Sequence, residues 1–216
     1  MEEKTLVEKL ADELLYRLPK VRQRHSFGLC GVELLDNGAV CLYHEGRKLR
    51  PFHSAAEAVD GRRIDTRSAK YHSTEKEETD CGLKLSNLYE ENGLRLRQEL
   101  LLCEGGELTV QLFLSEKKRS TVRSRYLAPI LAPYPDKDGH PLFLSLDQKM
   151  LLVPYDNDMW ARYESTVPNP GKTSYDVTAI FDEETYEGLV VGALDHDVWK
   201  NAISWSAHDA RAFTAY

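Results

Sequence analysis

The fold class this sequence predicts is an all-β domain built from antiparallel strands, with a single amphipathic helix at its N-terminus. Three observations predict it. Two Asn-Gly pairs, Asn37-Gly38 and Asn92-Gly93, each lie between runs in which apolar and polar residues alternate, a strong short-range hairpin signal. Strand-like runs separated by turn residues continue to the end of the chain. Only residues 4–18 carry helical periodicity. Together these point to a large β-sandwich of two sheets.

Taken in order, the helix is marked by Leu6, Val7, Leu10, Leu14, Leu15 and Leu18 and stops at Pro19. Its first turn is acidic, so its apolar stripe is expected to dock on the following sheet rather than on a membrane. Residues 1–25 are read as this helix and a lead-in, and 26–216 as the β-sandwich domain. FGLCGVELL and AVCLY form the first hairpin. A two-residue loop at Asn37-Gly38 sets Cys41 opposite Leu34, leaving Cys30 four positions along its strand. At roughly 3.3 Å per residue that offset is too long for a disulfide. Residues 45–80 are polar, mixed in charge and poor in patterned apolar positions, and read as loops or an insertion.

The clearest register surrounds Asn92-Gly93. A two-residue loop there opposes Glu90 to Arg95, Tyr89 to Leu96, Leu85 to Leu100 and Leu83 to Leu102, which gathers the apolar partners on one face. The turn at Glu104-Gly105-Gly106-Glu107 needs an odd-length loop or a glycine bulge to keep the next strand's leucines on that face. The expected alignment is Leu102 with Val110 and Leu100 with Leu112. Further strands are expected over Thr121–Leu131, Met150–Val153, Ala161–Thr166, Ser174–Asp182 and Gly188–Leu194. SAHDARAFTAY, residues 206–216, ends in a strand-like run without a polar tail and suggests that the natural polypeptide continues.

Composition narrows the function classes. At 216 residues and 42% hydrophobic content the chain can bury a substantial core, and no linker divides it into two domains. A net charge of -7, with basic runs that are short and interrupted, argues against a nucleic-acid partner. The acidic start does not resemble a secretory signal, and no apolar run approaches the roughly 20 residues of a membrane span. Cys30, Cys41, Cys81 and Cys103 lack CxxC spacing, which points to reduced thiols in a cytoplasmic setting and away from a zinc knuckle.

Two stretches concentrate polar and aromatic side chains. In VPYDNDMWARYE, Asp156, Asn157 and Asp158 sit among Tyr155, Trp160, Arg162 and Tyr163. Carboxylates and amides of this kind bind sugar hydroxyls while aromatic faces cover the apolar side of the ring. If extended, the segment puts Asp156 and Asp158 on one face about 6.6 Å apart. That separation is permissive for glycosidic hydrolysis, but both groups come from one local segment and would have to flank one substrate atom. In LDHDVWK, His196 lies between Asp195 and Asp197 with Trp199 close by, a pattern that suits acid-base work, metal ligation or a structural hydrogen bond at a strand end. Asp136-Lys137-Asp138-Gly139 lacks the rest of an EF-hand and reads as a turn. NPGKTS imitates a P-loop tail but has Thr166 where the first glycine belongs and leads into a strand. No GxSxG elbow is present, and the cysteines have no nucleophile context.

Over residues 140–203, VPYDNDMWARY, YDVTAIFD and GLVVGALDHDVWK resemble the N-terminal β-domain of α-galactosidase-like glycoside hydrolases of clan D. The resemblance implies a galactose-mutarotase-like super-sandwich packed against a catalytic (β/α)8 barrel that carries both catalytic aspartates. It makes this chain a non-catalytic part of such an enzyme, truncated before the barrel, with no catalytic residue, cofactor or metal of its own. Tyr155, Asp156, Asn157, Asp158, Trp160 and Arg162, with His196 and Trp199, would line the rim of a pocket for a galactoside-type carbohydrate. The alternatives are a free-standing carbohydrate-binding β-sandwich, in which Tyr155, Trp160 and Trp199 stack on sugar, and a structural module whose aromatics form a homo-oligomer interface.

Overall fold

A computed structural model of the protein describes residues 19–49, 51–117, 122–132, 148–155, 163–166, 171–185, 187–195 and 200–205, and the backbone of 213–215. The helix expected over 4–18 lies outside these residues. Every described element is a strand. The first four are β1 (Val21–Phe27), β2 (Cys30–Leu35), β3 (Val40–His44) and β4 (Arg47–Lys48). Then come β5 (His53–Ala58), β6 (Arg63–Asp65), β7 (Lys70–Thr79), β8 (Gly82–Glu91), β9 (Leu94–Leu102), β10 (Leu108–Glu116) and β11 (Ser124–Ala132). The C-terminal part holds β12 (Gln148–Leu152), β13 (Glu164–Thr166), β14 (Thr173–Tyr175), β15 (Val177–Asp182), β16 (Gly188–Gly192), β17 (Ala202–Trp205) and β18 (Phe213–Ala215).

The strands pair antiparallel in four sheets, ordered β1-β2-β3-β4, β10-β9-β8-β7, β14-β17-β18-β11-β5-β6 and β13-β12-β15-β16. Three apolar clusters join them. Cys30, Val32, Leu34 and Val40 of the first sheet pack on Leu83, Leu85, Leu100 and Leu102 of the meander. Ala56, Ala58 and Ile64 meet Tyr89, Leu94, Leu96 and Leu112. Met150, Ile180 and Val191 of the last sheet pack on Ala132, Ile203 and Trp205. The all-β, antiparallel class is as the sequence predicts.

The meander has the expected β8–β9 register, with Glu90 opposite Arg95, Tyr89 opposite Leu96, Leu85 opposite Leu100 and Leu83 opposite Leu102. Between β9 and β10 the expected parity holds but the register does not. Leu102 faces Leu108 and Leu100 faces Val110, two positions from the expected alignment. The cause is the length of the connection from Cys103 to Glu107, which is closed by the Cys103 N–H donating to the Glu107 carbonyl at 2.9 Å. The first hairpin is corrected by one residue. Its loop is Asp36-Asn37-Gly38, with the Leu35 N–H donating to the Ala39 carbonyl at 2.9 Å and Gly38 at φ +79°, so Cys41 faces Glu33 and Cys30 faces His44. FGLCGVELL is also not one strand, because the chain turns at Gly28-Leu29 between β1 and β2.

Residues 45–80, expected to be loops, contain four strands. In β5, Ala55, Ala56 and Ala58 are buried together with His53 and Ser54, so burial on both faces removes the period-two signal. β7 is an edge strand whose Glu75, Lys76, Glu77 and Glu78 place charge where another chain would otherwise pair.

All four cysteines are free thiols: Cys30 and Cys41 are buried, Cys103 is partly buried and Cys81 is exposed. Burial pushes the Cys30 thiol up to about 11. Iodoacetamide at pH 8, read by mass spectrometry, is therefore expected to modify Cys81 first and to reach Cys30 and Cys41 only after denaturant is added. Early modification of Cys30 would contradict this packing. Among the described residues no helix is long and apolar enough to cross a membrane.

Candidate functional site

Tyr155 and Lys200, the described residues next to the 156–162 and 196–199 segments, meet at one corner of the fold. β12 delivers Val153 to Tyr155, and buried Ser174 fixes that end: its hydroxyl accepts from the Val153 N–H at 2.8 Å and donates to the Val177 carbonyl at 2.7 Å. The Tyr175 N–H donates to the Val153 carbonyl at 3.0 Å. Below it, buried Thr178 donates to the Leu151 carbonyl at 2.7 Å. Short hydroxyl side chains thus satisfy backbone groups where the ladder is interrupted, which lets the chain bend here without leaving buried donors unpaired.

The bend is Asp176, between β14 and β15, with φ at +63°. Its N–H donates to the Asn201 carbonyl at 3.1 Å, and its carbonyl accepts from the Ala193 N–H at 2.8 Å. Asn201 in turn donates through Nδ2 to the Asp195 carbonyl at 2.9 Å, tying the two ends of the 196–199 segment together. The Tyr175–Ala202 pair of the β14–β17 ladder then brings Lys200 beside Tyr155. The Tyr155 and Tyr175 rings meet edge to face, with centroids 4.9 Å apart and planes at 79°. The Lys200 ammonium stands 4.9 Å from the Tyr155 centroid. Tyr155 remains 60% exposed, so a ring held by two neighbours still offers a wet apolar surface.

Of the residues singled out from sequence, Tyr155 stands in this corner, and exposed Tyr163 precedes β13 at the other end of the 156–162 segment. Asp156, Asn157, Asp158, Trp160, Arg162, His196 and Trp199 lie outside the described residues, as does Asp136 to Gly139. The structure brings together the flanks of the two stretches, Tyr155 and Lys200. Sequence reasoning missed Tyr175, Asp176, Lys200 and Asn201. The one available signal was an Asp inside SYDVTAIFD, where a strand interior disfavours it.

A second concentration of charge behaves differently. Glu33 on β2 is 2% exposed, yet it receives Arg24 Nε at 2.8 Å, the Tyr43 hydroxyl at 2.5 Å and, more distantly, Lys48 Nζ at 3.8 Å. Burial pushes its carboxyl up, and the hydrogen bonds from Tyr43 and Arg24 with the charges of Arg24 and Lys48 outweigh that, leaving it below the usual carboxylate range. Its acceptor sites are taken up by the fold's own donors, as in a structural clasp. Among the described residues no group of three or more His, Cys, Asp or Glu side chains is arranged to hold a metal ion. Comparison of the chain with protein-family models, with curated proteins and with solved structures gave no match.

Proposed function

We propose that this chain is a non-catalytic, carbohydrate-facing β-sandwich domain, the N-terminal domain of an α-galactosidase-like glycoside hydrolase whose catalytic barrel lies outside these 216 residues. The sandwich is of the galactose-mutarotase-like kind, and the corner at Tyr155 is the part of the sugar-pocket rim that it supplies. The observation that carries this reading is the meeting of Lys200 with the exposed ring of Tyr155, itself held edge to face by Tyr175, which brings one described residue from each of VPYDNDMWARYE and LDHDVWK together. These are the stretches on which the resemblance rests. An exposed aromatic ring, fixed from two sides and bordered by polar groups, is a surface on which the apolar face of a sugar settles. Antiparallel sheets throughout the described residues suit the same reading.

The test is a titration of the 216-residue chain with methyl α-galactoside, melibiose and raffinose, followed by NMR. Binding near millimolar is expected, with Tyr155→Ala weakening it about tenfold while the melting temperature holds, because the ring is largely exposed. No shift change at sugar concentrations well above millimolar would end the galactoside reading. The exposure of Tyr155 also favours a free-standing carbohydrate-binding module, for which micromolar affinity from this chain alone would be the signature.

A further inference from the structure

We propose that Cys81 and Cys103 are a redox-responsive pair, which a peroxide joins in a disulfide and a dithiol reductant releases. Their spacing in the sequence gives no hint of it, because the ladder of β8 and β9 brings them together. Leu83 faces Leu102 in that ladder, so the next position on each side is Gly82 and Cys103. A Cβ on Gly82 would stand 3.3 Å from the Cys103 Cα and 2.0 Å from the Leu102 carbonyl oxygen, a close approach that glycine, here at φ +146°, permits. Cys81 is one Cα step of about 3.8 Å from Gly82, in the turn between β7 and β8. Both cysteines thus stand at the end of one ladder, on the scale of about 4.4–6.8 Å between Cα atoms that a disulfide spans. Each is held by its own turn. The Cys81 N–H donates to the Thr79 hydroxyl at 3.3 Å, and that hydroxyl donates to the Gly82 carbonyl at 3.0 Å. The Cys103 N–H donates to the Glu107 carbonyl, and the Cys103 carbonyl accepts from the Gly106 N–H at 3.1 Å.

Exposure divides the roles. Cys81 is exposed and meets a peroxide first, while Cys103 is partly buried. Burial, followed by the charges of Glu107 and Cys81, raises the Cys103 thiol above its ordinary value, so it stays protonated at neutral pH and suits the second step. In the first step the Cys81 thiolate attacks one peroxide oxygen. An S–O bond forms, the O–O bond breaks, and the other oxygen leaves as water with the proton that Cys81 gave up. In the second, the Cys103 sulfur attacks the sulfenic acid. The S–S bond forms, the S–O bond breaks, and the Cys103 proton departs with the oxygen as a second water. Two electrons pass from the sulfur pair to the peroxide. A dithiol reverses the reaction by exchange and is itself oxidised to a disulfide. The competing partner is Cys30, which packs on Leu83 and Leu102 and whose thiol the charge of Cys103 reaches. It is 2% exposed, which shields it from the peroxide.

The experiment treats the reduced 216-residue chain with a small excess of hydrogen peroxide at neutral pH, quenches with iodoacetamide and maps disulfides by mass spectrometry after trypsin. Cleavage separates the candidates, with Cys81 in peptide 77–84, Cys103 in 98–117, and Cys30 together with Cys41 in 25–47. The expected product is a monomer in which 77–84 is joined to 98–117, about tenfold in excess over any other disulfide. Dithiothreitol should restore both thiols, and the same treatment in concentrated urea should abolish the preference, because the fold then no longer sets the pair. Cys103→Ser should leave Cys81 as a sulfenic acid that dimedone traps, and Cys81→Ser should leave Cys103 unmodified at the same exposure. A link from 98–117 to 25–47, a disulfide between two copies through Cys81, or Cys81 oxidised beyond the sulfenic acid while Cys103 is still alkylated would each overturn the proposal.

Discussion

Replacing Gly38 by Ala is expected to destabilise the fold by about 4 kcal/mol or more, at the upper end of what a single substitution does. A Cβ on Gly38 would stand 1.8 Å from the Thr66 carbonyl oxygen and 2.6 Å from its carbon, both backbone atoms. Thr66 cannot retreat. It is 1% exposed, its N–H donates to the Ser54 carbonyl at 2.9 Å, and its hydroxyl accepts from the Ser54 N–H at 3.1 Å. Gly46 supplies the control, because its φ of +77° nearly equals the +79° of Gly38 while a Cβ there meets nothing within 4 Å. Gly46→Ala therefore suffers only the left-handed backbone strain, about 1–2 kcal/mol, and the difference between the two variants isolates the contact. For a chain of this size each kcal/mol moves the melting temperature by about 2–4 °C. Scanning calorimetry should thus show a gap of several degrees between the variants, and equal melting temperatures would refute the close approach of the β2–β3 loop to the end of β6.

Gly38 also illustrates what could and could not be read from the chain. Asn37-Gly38 announces a hairpin, because few pairs take left-handed backbone so readily. It does not state whether two or three residues form the loop, and the third residue moved Cys41 from Leu34 to Glu33. Asn92-Gly93 was read correctly because leucines at alternate positions on both β8 and β9 permit only one face to be apolar. The strands of 45–80 were missed for opposite reasons. β5 is buried on both sides by small residues and shows no alternation, while β7 lies at an edge and carries charge.

The candidate site was legible only in part. Tyr155 could be chosen from its polar and aromatic neighbours in sequence, since local composition carries that signal. Its partners could not, because Tyr175 and Lys200 reach it through the β14–β17 ladder, a long-range pairing that depends on the whole sheet. Asp176 was hidden inside what looked like one strand. A left-handed break is set by the hydrogen bonds of Asn201 and Ala193, neither of which is near it in sequence.

Replacing Gln98 by Leu is the second large effect expected, about 2–3 kcal/mol, and its size follows from a chain of hydrogen bonds that crosses the interior. The Tyr71 hydroxyl lies 2.9 Å from Thr74 Oγ1, which donates to Asn87 Oδ1 at 2.6 Å. Asn87 Nδ2 donates to Gln98 Oε1 at 3.0 Å, and Gln98 Nε2 donates to Ser54 Oγ at 2.7 Å. Ser54 ends the chain by donating to the Pro129 carbonyl at 2.6 Å. Asn87, Gln98 and Ser54 are fully buried, so the chain joins the meander to β5 and β11 through a region shielded from bulk solvent. With Thr74 already donating to Asn87, the order runs in one sense from Tyr71 to Pro129, and bonds aligned this way polarise one another. Leucine at 98 keeps the volume but leaves the Asn87 amide without its acceptor, a penalty of about 1–3 kcal/mol for a buried donor, and removes the Gln98–Ser54 bond besides. Asn87→Leu should cost a similar amount by stranding Gln98 Oε1 and the Thr74 hydroxyl. In the double variant Asn87→Leu with Gln98→Leu, the bond between the two residues is lost only once and neither amide is stranded by the other. Its cost should therefore fall short of the sum of the single variants by about 1–2 kcal/mol. Urea denaturation of the four proteins closes this cycle. Strict additivity would mean that the two amides act independently and that the interior chain does not couple the sheets.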